Sequence, residues 1–275
     1  MTYRDILFEV DADPAAQVRC GQVARLARSF GAHLTGVFFE PGFALPSTAA
    51  GTAWIPPAHL TAALQAHEAA VERRAQQART WLTEASQAAD VTCDWLRLDP
   101  AGALSYVDRA RGADLIVVPP RPKPSRGDTR TSSTELALSC GGPMLVLPKA
   151  AVDIGRRILV AWNGGREAAR ALRDAWPFLT AADRVAVAVV APQVDRAEVS
   201  AIRQRFERRG CKVEIFVETT QEASVADTLR GQINDWNDDL MVMGLYGRTR
   251  LAERILGGVS RDLMDDPPTA LLVSH

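Results

Sequence analysis

Hydrophobic and polar positions fall in regular blocks along this chain. Short, nearly continuous apolar runs include Ile6-Leu7-Phe8, Leu115-Ile116-Val117-Val118, Ile158-Leu159-Val160 and Leu240-Met241-Val242-Met243. Such runs are expected of strands buried on both faces. Between them lie longer, alanine-rich stretches whose apolar residues recur every three or four positions, the spacing of an amphipathic helix. The order predicts β-α-β-α-β-α-β-α-β, followed by the same series again. Apolar strands alternating with amphipathic helices imply an α/β fold with a mostly parallel sheet covered on both faces.

The blocks repeat in detail. YRDILFEVDADPAAQVRCGQVARLA near the start resembles RRILVAWNGGREAARALRDA from Arg156. The second strands, AHLTGVFFEP and DRVAVAVVAP, both close on proline. ADLIVVPP (113–120) matches DDLMVMGL (238–245), and PMLVLP (143–148) matches PTALLV (268–273), both at an offset of 125 residues. The opening strands are 152 apart, so the first half holds extra residues. Those are predicted in the loop-like stretch PGFALPSTAAGTAWIPP and in a long helix from about His59 to Ala89. A repeat of this length is too long for a solenoid. It reads as a duplicated domain, residues 1–150 and 151–275, with the boundary near Lys149–Gly155. The length of 275 residues accommodates two ordinary domains.

Charge and composition narrow the function classes. With 32 basic and 33 acidic side chains the net charge is -1, without the basic excess that drives nucleic-acid binding. No apolar stretch reaches the roughly 18 residues needed to span a bilayer. The first residues lack the pattern of a secretory signal, so a cytoplasmic location is expected. Cys20, Cys93, Cys140 and Cys211 show no CxxC spacing and read as small apolar residues. The four histidines have no metal-ligand spacing, and there is no G-x-S-x-G elbow. No metal site and no catalytic residue is predicted.

One stretch stands out chemically: MGLYGRTRLAERILGGVS, residues 243–260, with Gly244, Gly247, Gly257 and Gly258. It follows a predicted strand, at the edge where open α/β sheets bind ligands. Glycines there allow backbone amides to approach a ligand, and a helix opening at Gly257-Gly258-Val259-Ser260 would offer free N–H groups to phosphate. Ser260 is a candidate phosphate donor or a simple helix cap. Arg248 is a candidate phosphate partner or a solvated arginine. The plain alternative for the glycines is a pair of tight turns. There is no Walker A sequence, because no GK[ST] follows the glycines.

The spacing G-x2-G-x9-G at Gly244, Gly247 and Gly257, after a strand ending in Met243-Gly244, resembles the ATP-binding loop of the universal stress protein family. RRILVAWNGGREAARALRDA resembles that family's first strand and helix, and PTALLV its closing strand. The resemblance covers nearly the whole chain twice, as a tandem form. It implies two Rossmann-like domains of the adenine nucleotide alpha hydrolase-like class, each with a five-stranded sheet. It also implies an intrachain pseudo-dimer joining Met144–Leu147 to Ala270–Val273. By the same carry-over, Ala161, Asn163 and Val189 lie near adenine or ribose. Met243, Gly244, Gly247, Arg248, Gly257, Gly258, Val259 and Ser260 wrap ribose and phosphates. The implied cofactor is ATP, with Mg²⁺ only alongside it.

Two positions depart from the family pattern: Asn163 stands where ATP-binding members have aspartate, and Gly258 where the motif continues with serine or threonine. The first half departs further. The 125-residue offset places Pro119, Pro122, Ser132 and Ser133 opposite the four glycines, and proline has no N–H to donate. Asp11 reads as a turn or cap. The expectation is at most one nucleotide per chain, in the second half. Two alternatives stand beside it: a scaffold of the same fold acting through protein partners, and a slow ATP hydrolase. Further homodimerisation is left open.

Overall fold

In a computed structural model of the chain, the described residues are 2–43, 56–99, 103–119, 132–150, 153–190, 195–218, 225–245 and 253–275. The first half runs β1 (Asp5–Glu9), α1 (Pro14–Phe30), β2 (His33–Phe39), α2 (Pro57–Ala89), β3 (Cys93–Leu98), α3 (Ala103–Gly112), β4 (Leu115–Val118), α4 (Ser133–Cys140) and β5 (Met144–Val146). The second runs β6 (Arg157–Trp162), α5 (Arg166–Asp174), α6 (Trp176–Leu179), β7 (Arg184–Val190), α7 (Arg196–Glu207), β8 (Glu214–Glu218), α8 (Val225–Trp236), β9 (Leu240–Gly244), α9 (Glu253–Asp265) and β10 (Ala270–Ser274). The predicted alternation holds, with the short α6 added. Most of the proline-rich stretch 41–57 lies outside the described residues, and the long helix begins at Pro57.

All ten strands form one sheet in the order β3-β2-β1-β4-β5-β10-β9-β6-β7-β8. Every neighbouring pair is parallel except the central one. There β5 meets β10 antiparallel, with Val146 opposite Leu271 and Met144 opposite Val273. This is the expected intrachain pairing, so the two five-strand sets merge into a continuous sheet.

Alternation along the strands sorts side chains onto two apolar layers. One layer holds Phe8, Val160, Val242 and Leu272 under α1, α2, α5, α6 and α7. The other holds Leu159, Met241, Met243 and Val273 under α3, α4, α8 and α9. The repeat extends to small details. Asp114 accepts hydrogen bonds from the N–H groups of Arg4 and Asp5 at the start of β1. At the 125-residue offset, Asp239 accepts from Gly155, Arg156 and Arg157 at the start of β6. Aromatic packing links the halves on the first layer, where Tyr3 and Phe30 of the first half meet Phe178 of the second.

Candidate functional site

The strand order reverses direction at β6, since β7 lies on one side of it and β9 on the other. Ligands of open α/β sheets bind at the carboxyl end of such a switch point. The register shows an opening there. β6 and β9 pair at Ile158–Leu240, Leu159–Met241 and Val160–Val242, and the ladder then stops. Beyond it, Ala161 and Trp162 stay with β7, while Met243 and Gly244 stay with β10. The two strands part at their carboxyl ends, leaving a crevice between Ala161-Trp162 and Met243-Gly244.

The floor of the crevice is the turn Trp162-Asn163-Gly164-Gly165. The Asn163 Oδ1 accepts the Gly165 N–H at 2.9 Å, an Asx turn that leads the chain into α5. Gly164 has φ of 72°, the left-handed region that favours glycine, and a Cβ there would run into the Glu198 carboxylate from α7. The same carboxylate accepts the Trp162 indole N–H at 2.8 Å. In the first turn of α5, Glu167 is buried and pairs with the exposed Arg166. An acid in that position is favoured by the free N–H groups of the helix start.

Of the predicted site residues, Ala161, Asn163, Met243 and Gly244 gather at the crevice. Val189 is buried on β7 opposite Trp162. Val259 packs from α9 onto the layer that contains Met243 and Ala161. Gly247 and Arg248 lie outside the described residues.

Two expectations change. The last helix does not open at Gly257; it starts at Glu253, so Gly257 and Gly258 lie inside it and Ser260 is buried two turns along. Beyond the first four residues of a helix the N–H groups bond within it, so these two glycine amides are committed to the backbone. The cause is periodicity: Val259 and Leu263 recur at helical spacing on the apolar layer and carry the helix past the glycines. The second change concerns Gly244. A Cβ on it would collide with the backbone of Glu167 and Ala168. The fold itself requires glycine there, because α5 crosses β9 at that point. His275 is half-buried, and its Nδ1–H donates to the Leu245 carbonyl at 3.1 Å, pinning the chain as it leaves β9.

Sequence reasoning missed Trp162, Glu167 and Glu198. Glu167 was readable as an acid in the first turn after Gly-Gly. The Glu198 contact joins residues from separate elements and leaves no local pattern.

No family model matches the chain, and no curated protein matches it. Solved structures do. A universal stress protein from Archaeoglobus fulgidus superposes with a TM-score of 0.69 at 14% identity, over 98% of this chain and 95% of that one. The chain has the universal stress protein fold. A functionally unknown protein from Pseudomonas aeruginosa superposes at a TM-score of 0.55 and 16% identity, over 99% of this chain and 92% of its own. Both matches span nearly the full length of the chain. Among the described residues no helix is long and apolar enough to cross a membrane, and no group of three or more His, Cys, Asp or Glu is placed to hold a metal ion.

Proposed function

We propose that this chain is a tandem stress-response protein of two domains, 1–150 and 151–275, which binds an adenine nucleotide at the carboxyl edge of the second. The observation that carries the reading is the parting of β6 and β9 at the switch point, directly before the G-x2-G-x9-G stretch. The apolar walls supplied by Ala161 and Met243 suit a base. The Glu198 carboxylate and the Asn163 amide are acceptors for ribose hydroxyls. Gly247 and Arg248 are the remaining candidates for the phosphates, with Mg²⁺ bound only together with ATP. In this reading the first half holds no nucleotide.

Mass spectrometry of small molecules released from freshly purified protein, with titration calorimetry against ATP, tests the reading. An adenine nucleotide in the released fraction and one ATP per chain are expected. Two ATP sites, or none with an empty released fraction, overturn it.

A second reading, a scaffold of the same fold working through protein partners, is favoured by specific observations. The Asn163 side chain serves a turn, Gly244 serves helix packing, and Gly257 and Gly258 serve a helix. Absence of any thermal shift at millimolar ATP selects it.

A further inference from the structure

At the opposite edge of the sheet from the crevice, Trp176, just past the C-terminal end of α5, packs on Phe206 near the end of α7, with ring centroids 5.1 Å apart. Arg173 lies in the last turn of α5 and Arg205 in the last turn of α7, with Arg209 just beyond it. The Arg209 guanidinium stacks over the Trp176 ring, 4.2 Å from its centroid. Trp176 is 8% exposed, and its indole N–H has no hydrogen-bond partner among the described residues. Nor does any of the three arginines form an ion pair among the described residues. Asp174, next to Arg173 in the chain, accepts the Ser274 hydroxyl at 2.8 Å and pairs with Arg170, and Glu207 is exposed. Burial and the positive charges of Arg209 and Arg173 hold Arg205 below the ordinary arginine value.

We infer that Arg173, Arg205 and Arg209, at the ends of the two helices joined by Trp176 and Phe206, form a binding site for a small phosphate-type oxyanion. Guanidinium groups present planar forks of N–H donors that match oxyanion geometry, and stacking on an indole leaves those edges free. The competing explanation is that the arginines only offset the negative ends of two helices. The two explanations predict opposite signs. If the cluster awaits an anion, its members repel one another in chloride, and removing two of them raises stability. If they serve the helix ends, removing them lowers it.

The test compares thermal unfolding of the whole chain in inorganic pyrophosphate and in chloride at matched ionic strength. Wild type is expected to gain about 2–4 °C in pyrophosphate. The Arg205→Gln/Arg209→Gln variant is expected to lose that gain and to melt at or above the wild-type temperature in chloride. Arg208→Gln, whose side chain bonds Gln204 instead, keeps the gain. A wild type without the gain, a double variant that retains it, or a double variant that melts earlier in chloride overturns the inference. The nucleotide crevice is untouched by both variants, so a gain that persists in the double variant reports pyrophosphate there.

Discussion

The carboxyl edges of the two halves begin from one backbone device and end in different chemistry. In the second half the Asn163 Oδ1 takes the Gly165 N–H; in the first, the Asp11 Oδ1 takes the Asp13 N–H at 3.2 Å. Around that shared turn the surroundings diverge. Asp11 also binds Arg19 at 2.8 Å, and Arg19 is a buried cation whose side chain is only 5% exposed. The 152-residue offset places Ala171 opposite Arg19, buried in an apolar layer. Past β4 the first half has the buried Pro119, where the second has Gly244 packed on α5. The first half closes its edge with an internal ion pair. The second closes with backbone against backbone and leaves two carboxylates, Glu167 and Glu198, beside the opening. A duplicated fold has thus kept its turn and specialised the space around it.

The largest effect should come from breaking the backbone contact. Gly244→Ala is expected to cost about 3 kcal/mol in urea denaturation, because the obstacle is backbone and cannot swing aside. Pro119→Ala at the matching place should stay within about 1 kcal/mol. Equal stability of Gly244→Ala and wild type would remove the packing argument.

Next comes the ion pair. Asp11→Ala leaves Arg19 buried without its partner and should cost about 2 kcal/mol, whereas Asn163→Ala loses a single turn bond and about 1 kcal/mol. The order of the two midpoints is the check, and its reversal would contradict the ion-pair account.

The sharpest comparison uses two positions matched by the repeat. Ser132 caps α4 in a capping box with Glu135, so Ser132→Ala should lose about 1 kcal/mol. Gly257 occupies the matching position but lies inside α9, so Gly257→Ala should gain up to about 1 kcal/mol. A loss at both positions would mean that α9 starts where α4 does.

The smallest effect is pH-dependent. Asp238 is buried, and burial raises its carboxyl to about 6, although Arg184 lies 3.4 Å away and opposes the shift. A carboxyl whose folded value is raised stabilises the protein fully at low pH, and that contribution fades as pH rises from about 4 to about 6. Asp238→Asn should therefore be more stable than wild type by about 1 kcal/mol at pH 8, a figure kept small by Arg184. The advantage should vanish near pH 4, as followed by thermal melts. The first half has Ala113 at this place and no such dependence.

Much of the architecture was legible because it rests on local periodicity. The apolar runs identify the strands, and the 125-residue offset between PMLVLP and PTALLV brings out β5 and β10 as counterparts. The resemblance then implied that they pair. The last helix was misread because two adjacent glycines are ordinarily a stop signal. Here the packing of Val259, Leu263 and Met264 outweighs the glycines' helix penalty of roughly 1 kcal/mol each. The reason for Gly244 was not legible either, since it depends on where α5 crosses β9. Glu198 meets Trp162 only after α7 has settled on the sheet, a contact no spacing rule records.

The antiparallel junction of β5 and β10 also dictates an order of events during synthesis. Partners as distant in the chain as Val146 and Leu271 must meet to complete it. While a ribosome is still making the second half, the outer edge of β5 has every ladder donor and acceptor uncovered at the middle of the future sheet. An open apolar strand edge recruits other chains. Nascent copies stalled before β10 should therefore be the species most prone to clump, and the emergence of β10 is what ends the hazard.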